Sequence, residues 1–232
     1  MTSTIELPVL EANGVNVWTV AIENHSEFAQ YLTADETVMF GNIKIAEHQQ
    51  RMRNTRGLLR FLLGHYLQMS PAKIQFEKGQ YGKPFYPHKS HLCFNVSHSK
   101  QYATVAINYQ NDIGVDIEAI RPLENITTLA QRIFSESEQA YLFSLSADTQ
   151  LSGFYKLWTR KEAVIKTNGE GLHATLATIS TTDLNGNIIN PIVYLKNDHL
   201  QLTDISAPSE FCTALVYPKN KILFQQIILD TP

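Results

Sequence analysis

Three carboxylates in this sequence are spaced so that they can meet. In the run Ile113-Gly-Val-Asp-Ile-Glu118, side chains of an extended chain alternate between faces, so Asp116 and Glu118 point one way while Val115 and Ile117 point into the core. The third acid is Glu162, in Phe154-Tyr-Lys-Leu-Trp-Thr-Arg-Lys-Glu-Ala-Val-Ile-Lys166, where Phe154, Trp158, Glu162 and Lys166 recur every four residues along one helical stripe. Leu151, Tyr155 and Ile165 turn that stripe toward the interior, which leaves Glu162 and Lys166 partly desolvated and in need of partners. No histidine or cysteine accompanies the three acids, and an oxygen-rich set suits Mg²⁺ better than zinc. Each piece alone has a plainer explanation. An acid pair can be the solvated face of a half-buried strand, and an exposed i, i+4 Glu–Lys pair contributes only ~0.3–0.5 kcal/mol.

Magnesium shares its coordination sphere with substrate phosphates, and the sequence offers phosphate ligands in three places. From His48 to Phe76 there is no Asp or Glu, yet Arg51, Arg53, Arg56, Arg60 and Lys73 are present, with Arg53, Arg56 and Arg60 on one helical face. The turn Tyr81-Gly-Lys-Pro84 presents Lys83 on a rigid loop. Asn95-Val-Ser-His-Ser99 sets His98 among hydroxyls, read as lying just after a strand where backbone N–H groups can bind an anion. A basic helix face is usually only solvated, and a turn lysine or histidine is usually only structural. The joint occurrence of all three with the acidic trio is what gives them weight.

The elements that must position these residues alternate between strand and helix. Val15 to Ile22 is rich in β-branched and aromatic residues, Thr33-Ala-Asp-Glu36 is a capping box, and Arg53 to Gln68 carries the helical stripe Leu59, Leu62, Leu63 and Tyr66. Strands are expected over 92–96, 102–107 and 113–118. Ser135-Glu-Ser-Glu138 is a second capping box, residues 150–167 carry a helical period, and Asn185-Gly186 is a hairpin turn. The last strands are expected over 211–217 and 222–229. The fold class is therefore α+β, as two similar α/β halves, residues 1–110 and 111–232.

With 232 residues, 44% of them hydrophobic, the chain can bury a sizeable core. A net charge of −3 and a pI near 6.2 exclude a general nucleic-acid binder, so any phosphate site must be local. Cys93 and Cys212 stand apart in apolar stretches, outside any paired metal spacing, and are expected to be buried thiols. Residues 1–8 lack a basic start and an apolar signal core, and no apolar run approaches the ~20 residues that cross a bilayer. A cytoplasmic protein without membrane contact is expected.

The ordered motifs Tyr81-Gly-Lys-Pro, Phe94-Asn-Val-Ser-His-Ser, Ile113-Gly-Val-Asp-Ile-Glu and Phe154-Tyr-x-Leu-Trp-x-x-Lys-Glu-Ala-x-x-Lys166 with Gly169-x-Gly-Leu172 strongly resemble those of the 4′-phosphopantetheinyl transferases, in their surfactin-type, monomeric, two-halved class. The resemblance implies halves related by pseudo-two-fold symmetry with the active site between them. The first half would supply coenzyme A contacts, and the second the metal site and carrier-protein docking. It implies transfer of the phosphopantetheine arm from coenzyme A to a serine of an acyl or peptidyl carrier protein, with release of adenosine 3′,5′-bisphosphate. By matching positions, Asp116, Glu118 and Glu162 would hold Mg²⁺, Lys166 and His98 would grip the pyrophosphate, and Ser97, Lys83, Arg51 and Arg53 would hold the nucleotide end. Glu162, directly or through a metal-bound water, would serve as base. Because the partner helix of a carrier is typically acidic, a basic and apolar docking surface is expected near Lys156 to Gly171 and the preceding loop. In one place the pattern departs from the family. The basic residues that usually follow the helix start at Leu32-Thr-Ala-Asp-Glu36 are replaced by Glu36 and Met39, with only Lys44 nearby. Two other activities would use the same residues: Mg²⁺-dependent hydrolysis of a nucleotide or pyrophosphate, and binding of coenzyme A or a carrier without chemistry.

Overall fold

Two four-stranded sheets, each backed by a long helix, carry the chain. In order, the elements are β1 (Gly14–Ala21), α1 (Ala34–Gly41), α2 (Ala46–Tyr66), β2 (Glu77–Lys78), β3 (Pro84–Phe85), β4 (Leu92–Ser99), β5 (Tyr102–Tyr109), β6 (Gly114–Ala119), α3 (Ile126–Ile133), α4 (Glu136–Ser144), α5 (Ala147–Asn168), β7 (Ile192–Leu195), β8 (Asp198–Asp204), β9 (Phe211–Pro218) and β10 (Leu223–Leu229). This computed structural model describes residues 7–80, 82–87, 92–169, 181–183, 187–188, 192–195, 198–220 and 223–230. Among them, no helix is long and apolar enough to cross a membrane.

The halves repeat one topology. The sheets run β10-β1-β5-β4 and β6-β9-β8-β7. In each half the opening strand, β1 or β6, pairs antiparallel with the half's later strand, β5 or β9, which pairs in turn with the strand before it, β4 or β8. The long helix of each half, α2 or α5, lies between opening and later strands in sequence. The expected α+β class with two similar halves is therefore met.

Hydrophobic periodicity explains which faces pack. Leu58, Leu59, Leu62 and Leu63 on α2 form an i, i+1, i+4, i+5 stripe that is buried against Trp18 and Val20 of β1 and Phe94 of β4. Each such buried side chain is worth about 2 kcal/mol relative to exposure. In the second half, Ala163 and Val164 of α5 pack on Leu200, Leu202, Ala214 and Val216. A third apolar layer joins the halves, with Val15, Val17 and Ala106 of the first sheet against Ile113, Val115 and Leu215 of the second. Both capping boxes form as expected, Thr33 with Glu36 and Ser135 with Glu138.

Several expectations need correction. Helix α2 starts at Ala46 rather than near Arg53, because its first two turns are polar and carry no apolar stripe. Gln49 anchors them instead, donating from Nε2 to the Gly41 and Ile43 carbonyls at 3.0 and 3.2 Å. Division at residue 110 separates β5 from β6, yet β10 returns to pair in parallel with β1, so the first sheet needs residues from both ends of the chain. Cys93 and Cys212 are half-buried rather than fully buried. The turn residues Asn185 and Gly186, together with Tyr81, Gly171 and Leu172, lie outside the described residues, although Thr182 and Ile188 form an antiparallel bridge across the hairpin.

Candidate functional site

The two sheets meet along two edge strands, β4 and β6, and side chains hold them together there. Residues 95, 97 and 99 of β4 share one face. Asn95 Oδ1 accepts from the Val115 N–H at 2.9 Å, and Ser99 Oγ accepts from the Ala119 N–H at 3.1 Å. Ser97 Oγ donates to Asp116 Oδ1 at 2.7 Å, and Ser99 Oγ donates to Glu118 Oε2 at 2.9 Å. The open edge of β6 is thus satisfied without a neighbouring backbone, and both of its acids are fixed in rotamer. Asn95 and Ser99 were not among the expected site residues. Their signal was present in the sequence as polar residues at 95, 97 and 99 alternating with Phe94 and Val96.

Helix α5 lies across the same face of β6. Its closeness depends on Gly114, where an added Cβ would fall 2.0 Å from the Ala163 carbonyl oxygen and 2.2 Å from Thr167 Oγ1. Lys166 thereby reaches over the strand, its Nζ donating to Asp116 Oδ1 at 2.5 Å and to Ser97 Oγ at 2.8 Å. Asp116 is buried, while Glu118 and Glu162 are half-buried. Asp116 Oδ2 and Glu162 Oε1 are both shielded from solvent and receive no hydrogen bond.

The three acids feel one another's charge. Burial raises Asp116 above the usual carboxylate range, against the opposing pull of Lys166 and the Ser97 hydroxyl. Burial and then the charge of Asp116 raise Glu118, and the same two causes raise Glu162. His98 is lowered, first by burial and then by the positive charges of Lys166 and Arg51. It lies within β4 rather than beyond it, on the opposite face from Ser97. Arg51 also has a buried Nε with no hydrogen-bond partner. The charges of both Lys166 and Arg51 reach His98.

The remaining expected cations are used differently. Arg60 is buried, donating from Nε to Glu36 Oε2 at 2.6 Å and from Nη1 to the Pro71 and Ile74 carbonyls at 2.7 and 2.9 Å. Arg56 lies 3.6 Å from Glu36 Oε1, and both guanidiniums sit over the Phe76 ring. Glu36 thus takes up part of the expected cationic face. Arg53 is half-buried and forms no ion pair among the described residues. Lys83 donates to the Thr167 carbonyl at 2.8 Å and the Ile113 carbonyl at 3.2 Å, tying its turn to the end of α5 and the start of β6. It acts here as a strut between the halves. Three cations of the expected docking stretch have acidic partners within the chain. Lys156 pairs with Asp204 at 3.2 Å, Lys161 with Glu138 at 2.7 Å, and Arg160 Nη1 lies 2.8 Å from Asp204 in an ion pair without hydrogen-bond alignment.

Beside Glu118 opens a pocket of about 170 Å³ lined by Arg121, Leu129, Ile133, Phe154, Tyr155 and Trp158 among others. Its lining is mostly apolar, with Glu118 and Arg121 as its charged members. No three His, Cys, Asp or Glu side chains among the described residues stand together at metal-binding distance, and the Lys166 ammonium is paired with Asp116. The donor chemistry nonetheless fits a hard divalent cation: oxygen donors only, and two buried oxygens lacking a hydrogen-bond donor.

Comparison with known proteins follows the same division of the chain. Residues 16–110 match the model of the 4′-phosphopantetheinyl transferase N-terminal domain, and residues 112–216 match that of the 4′-phosphopantetheinyl transferase superfamily. The 4′-phosphopantetheinyl transferase HetI of Nostoc sp. is 34% identical over 170 residues, which cover 70% of this chain and 72% of that protein. Sfp of Bacillus subtilis is 36% identical over 53% of this chain and 54% of its own length. AcpT of Escherichia coli K12 is 37% identical over 53% of this chain and 61% of its own. With both halves matched and a relative aligned over most of its length, the chain belongs to the 4′-phosphopantetheinyl transferase family.

Proposed function

We propose that this chain moves the 4′-phosphopantetheine arm of coenzyme A onto a serine hydroxyl of an acyl or peptidyl carrier protein, releasing adenosine 3′,5′-bisphosphate. The serine oxygen forms a bond to the pyrophosphate phosphorus nearer the arm, the bond from that phosphorus to the bridging oxygen breaks, and the hydroxyl proton passes to a base. The observation that carries this reading is the seam where Lys166 pairs with Asp116 and the charges of both reach Glu118 and Glu162, with two carboxylate oxygens lacking donors.

Asp116, Glu118 and Glu162 are the residues that would hold Mg²⁺, which when bound draws negative charge from pyrophosphate oxygens. Lys166, already directed over Asp116, supplies a positive charge where the leaving oxygen becomes negative. Glu162, directly or through an intervening water, would serve as the proton acceptor. Ser97 keeps Asp116 and Lys166 in register. His98, Arg51 and Arg53 receive the nucleotide phosphates, and Lys83 contributes by holding the end of α5. The pocket beside Glu118 has mostly apolar walls with two charged groups at hand, which suits the amide-bearing arm. One chain supplies both sides of the seam, so a monomer suffices, and the chemistry suits the cytoplasm, where coenzyme A and carriers meet.

Incubation with coenzyme A, Mg²⁺ and an apo carrier, followed by intact-protein mass spectrometry, tests this. A carrier heavier by one arm is expected, and Glu162→Gln should remain folded while losing turnover. Cleavage of coenzyme A without carrier modification would instead indicate a hydrolase, and an unimpaired Glu162→Gln variant would overturn the mechanism.

A further inference from the structure

Behind the acidic face of α5 lies an ion pair that the chemistry above does not use. Lys161 immediately precedes Glu162, and both Lys161 and Glu138 have side chains with no exposure at all. Glu138 Oε2 is 2.7 Å from Lys161 Nζ and accepts from the Ser135 N–H at 2.8 Å. Its other oxygen accepts from the N–H and hydroxyl of Thr181, both at 2.9 Å. One carboxylate thus joins the first turn of α4, the middle of α5 and the strand-like segment at Thr181. Thr182 adds a second link to α4, its hydroxyl donating to Ser137 Oγ at 2.9 Å. The Lys161 ammonium also sits 6.0 Å from the Phe134 ring centre.

A buried ion pair is a poor device for stability alone, because removing two charges from water costs about as much as their attraction returns, and an apolar pair of equal volume packs as well. What it does supply is direction. Lys161 is one residue from Glu162, so pinning it fixes the rotation of α5 about its axis. A roll of about 20°, at the ~5–6 Å radius of a helix surface, sweeps a side chain by about 2 Å. That would part Lys166 from Asp116 and move Glu162 from its place.

We propose that the Lys161–Glu138–Thr181 cluster is a positioning clamp that sets the rotation of α5, and hence the placement of Glu162 and Lys166 for the transfer reaction. The proposal rests on the transferase reading above. Its test is the double variant Lys161→Met/Glu138→Gln in the full chain, assayed with coenzyme A, Mg²⁺ and apo carrier beside the parent. The variant is expected to stay folded, by circular dichroism and thermal midpoint, with kcat reduced at least tenfold and KM for coenzyme A within threefold. A folded double variant with parental kcat overturns the clamp, as does a KM increase that accounts for the whole loss. Should the double variant not fold, Thr181→Val decides. It removes one hydroxyl donor and keeps the volume, and a three- to tenfold fall in kcat is expected, whereas parental kcat overturns the proposal. A crystal structure of the variant gives a readout independent of turnover. The Lys166 Nζ to Asp116 Oδ1 distance, 2.5 Å in the parent, should lengthen by about 1 Å or more, and an unchanged distance counts against the clamp. An inactive parent would refute the functional reading, and the structural readout would still judge the clamp.

Discussion

Substituting Gly114 by alanine puts a steric load directly on the contact between β6 and α5. The new methyl would fall 2.0 Å from the Ala163 carbonyl oxygen, whereas Cβ atoms essentially never approach within 3.0 Å of another heavy atom. The helix must therefore recede by at least about 1 Å, since the obstacle is backbone and cannot rotate away. Glu162 and Lys166 lie on the receding element, whereas Asp116 and Glu118 stay with the strand. A 1 Å misplacement of reacting groups can cost about 10²-fold in rate, and overpacking costs about 1–3 kcal/mol of stability. Gly57 provides a matched control, because its added Cβ would lie 2.0 Å from the Phe28 carbonyl oxygen, away from the acidic seam. Both alanine variants should lose similar stability in urea titrations. Only Gly114→Ala should lose turnover, by about 10²-fold per folded molecule in the carrier-modification assay. Parental kcat in folded Gly114→Ala, or an equal loss in Gly57→Ala, would refute the reasoning.

Burial raises Asp116, Glu118 and Glu162, so at intermediate pH the folded chain retains protons that the unfolded chain has released. Their contribution to stability is greatest at low pH and declines as pH rises through the folded pKa values, while Mg²⁺ binding requires the ionised forms and strengthens over the same interval. The rise in thermal midpoint on adding Mg²⁺ should therefore grow with pH, and a constant increment would contradict this. His98, lowered by burial and by Lys166 and Arg51, should titrate at higher pH once coenzyme A phosphate faces it. Imidazole proton shifts followed with and without coenzyme A check that, and an unmoved titration would remove His98 from the phosphate site. Arg60→Met should destabilise by about 3 kcal/mol, because it leaves two carbonyls without their donor and removes the nearer of the two guanidiniums facing Glu36, yet leave kcat of the folded protein nearly unchanged. Urea unfolding and the transfer assay together measure both parts.

The acidic face was legible in the sequence because two periods, two in β6 and four in α5, each place charges on one side of an otherwise apolar element. Capping boxes were legible for the same reason, since their partners are three residues apart. What could not be read were relations between distant residues. Counting charge along α2 gave a basic surface, but Glu36, from another helix, lies across Arg56 and Arg60. Lys83 resembled a ligand because nothing local shows that the Thr167 carbonyl, at the end of α5, waits for a donor. His98 was placed after a strand because the hydroxyl-rich run looks like a turn. In the fold those hydroxyls replace backbone hydrogen bonds to β6, so the strand continues through Ser99. Strand β10 showed its own β-propensity but nothing of its partner.

That partner has a bearing on how the protein is made. Strand β1 leaves the ribosome long before its neighbour along one edge, which exists only after residues 223–229 have been synthesised. Trp18 and Val20, at the centre of the first core, must therefore wait until then beside an open flank that invites association with other nascent chains. Folding of the amino-terminal half cannot be completed as an independent vectorial event. Any fusion or truncation that delays or removes the closing strand should reveal itself first as aggregation during expression.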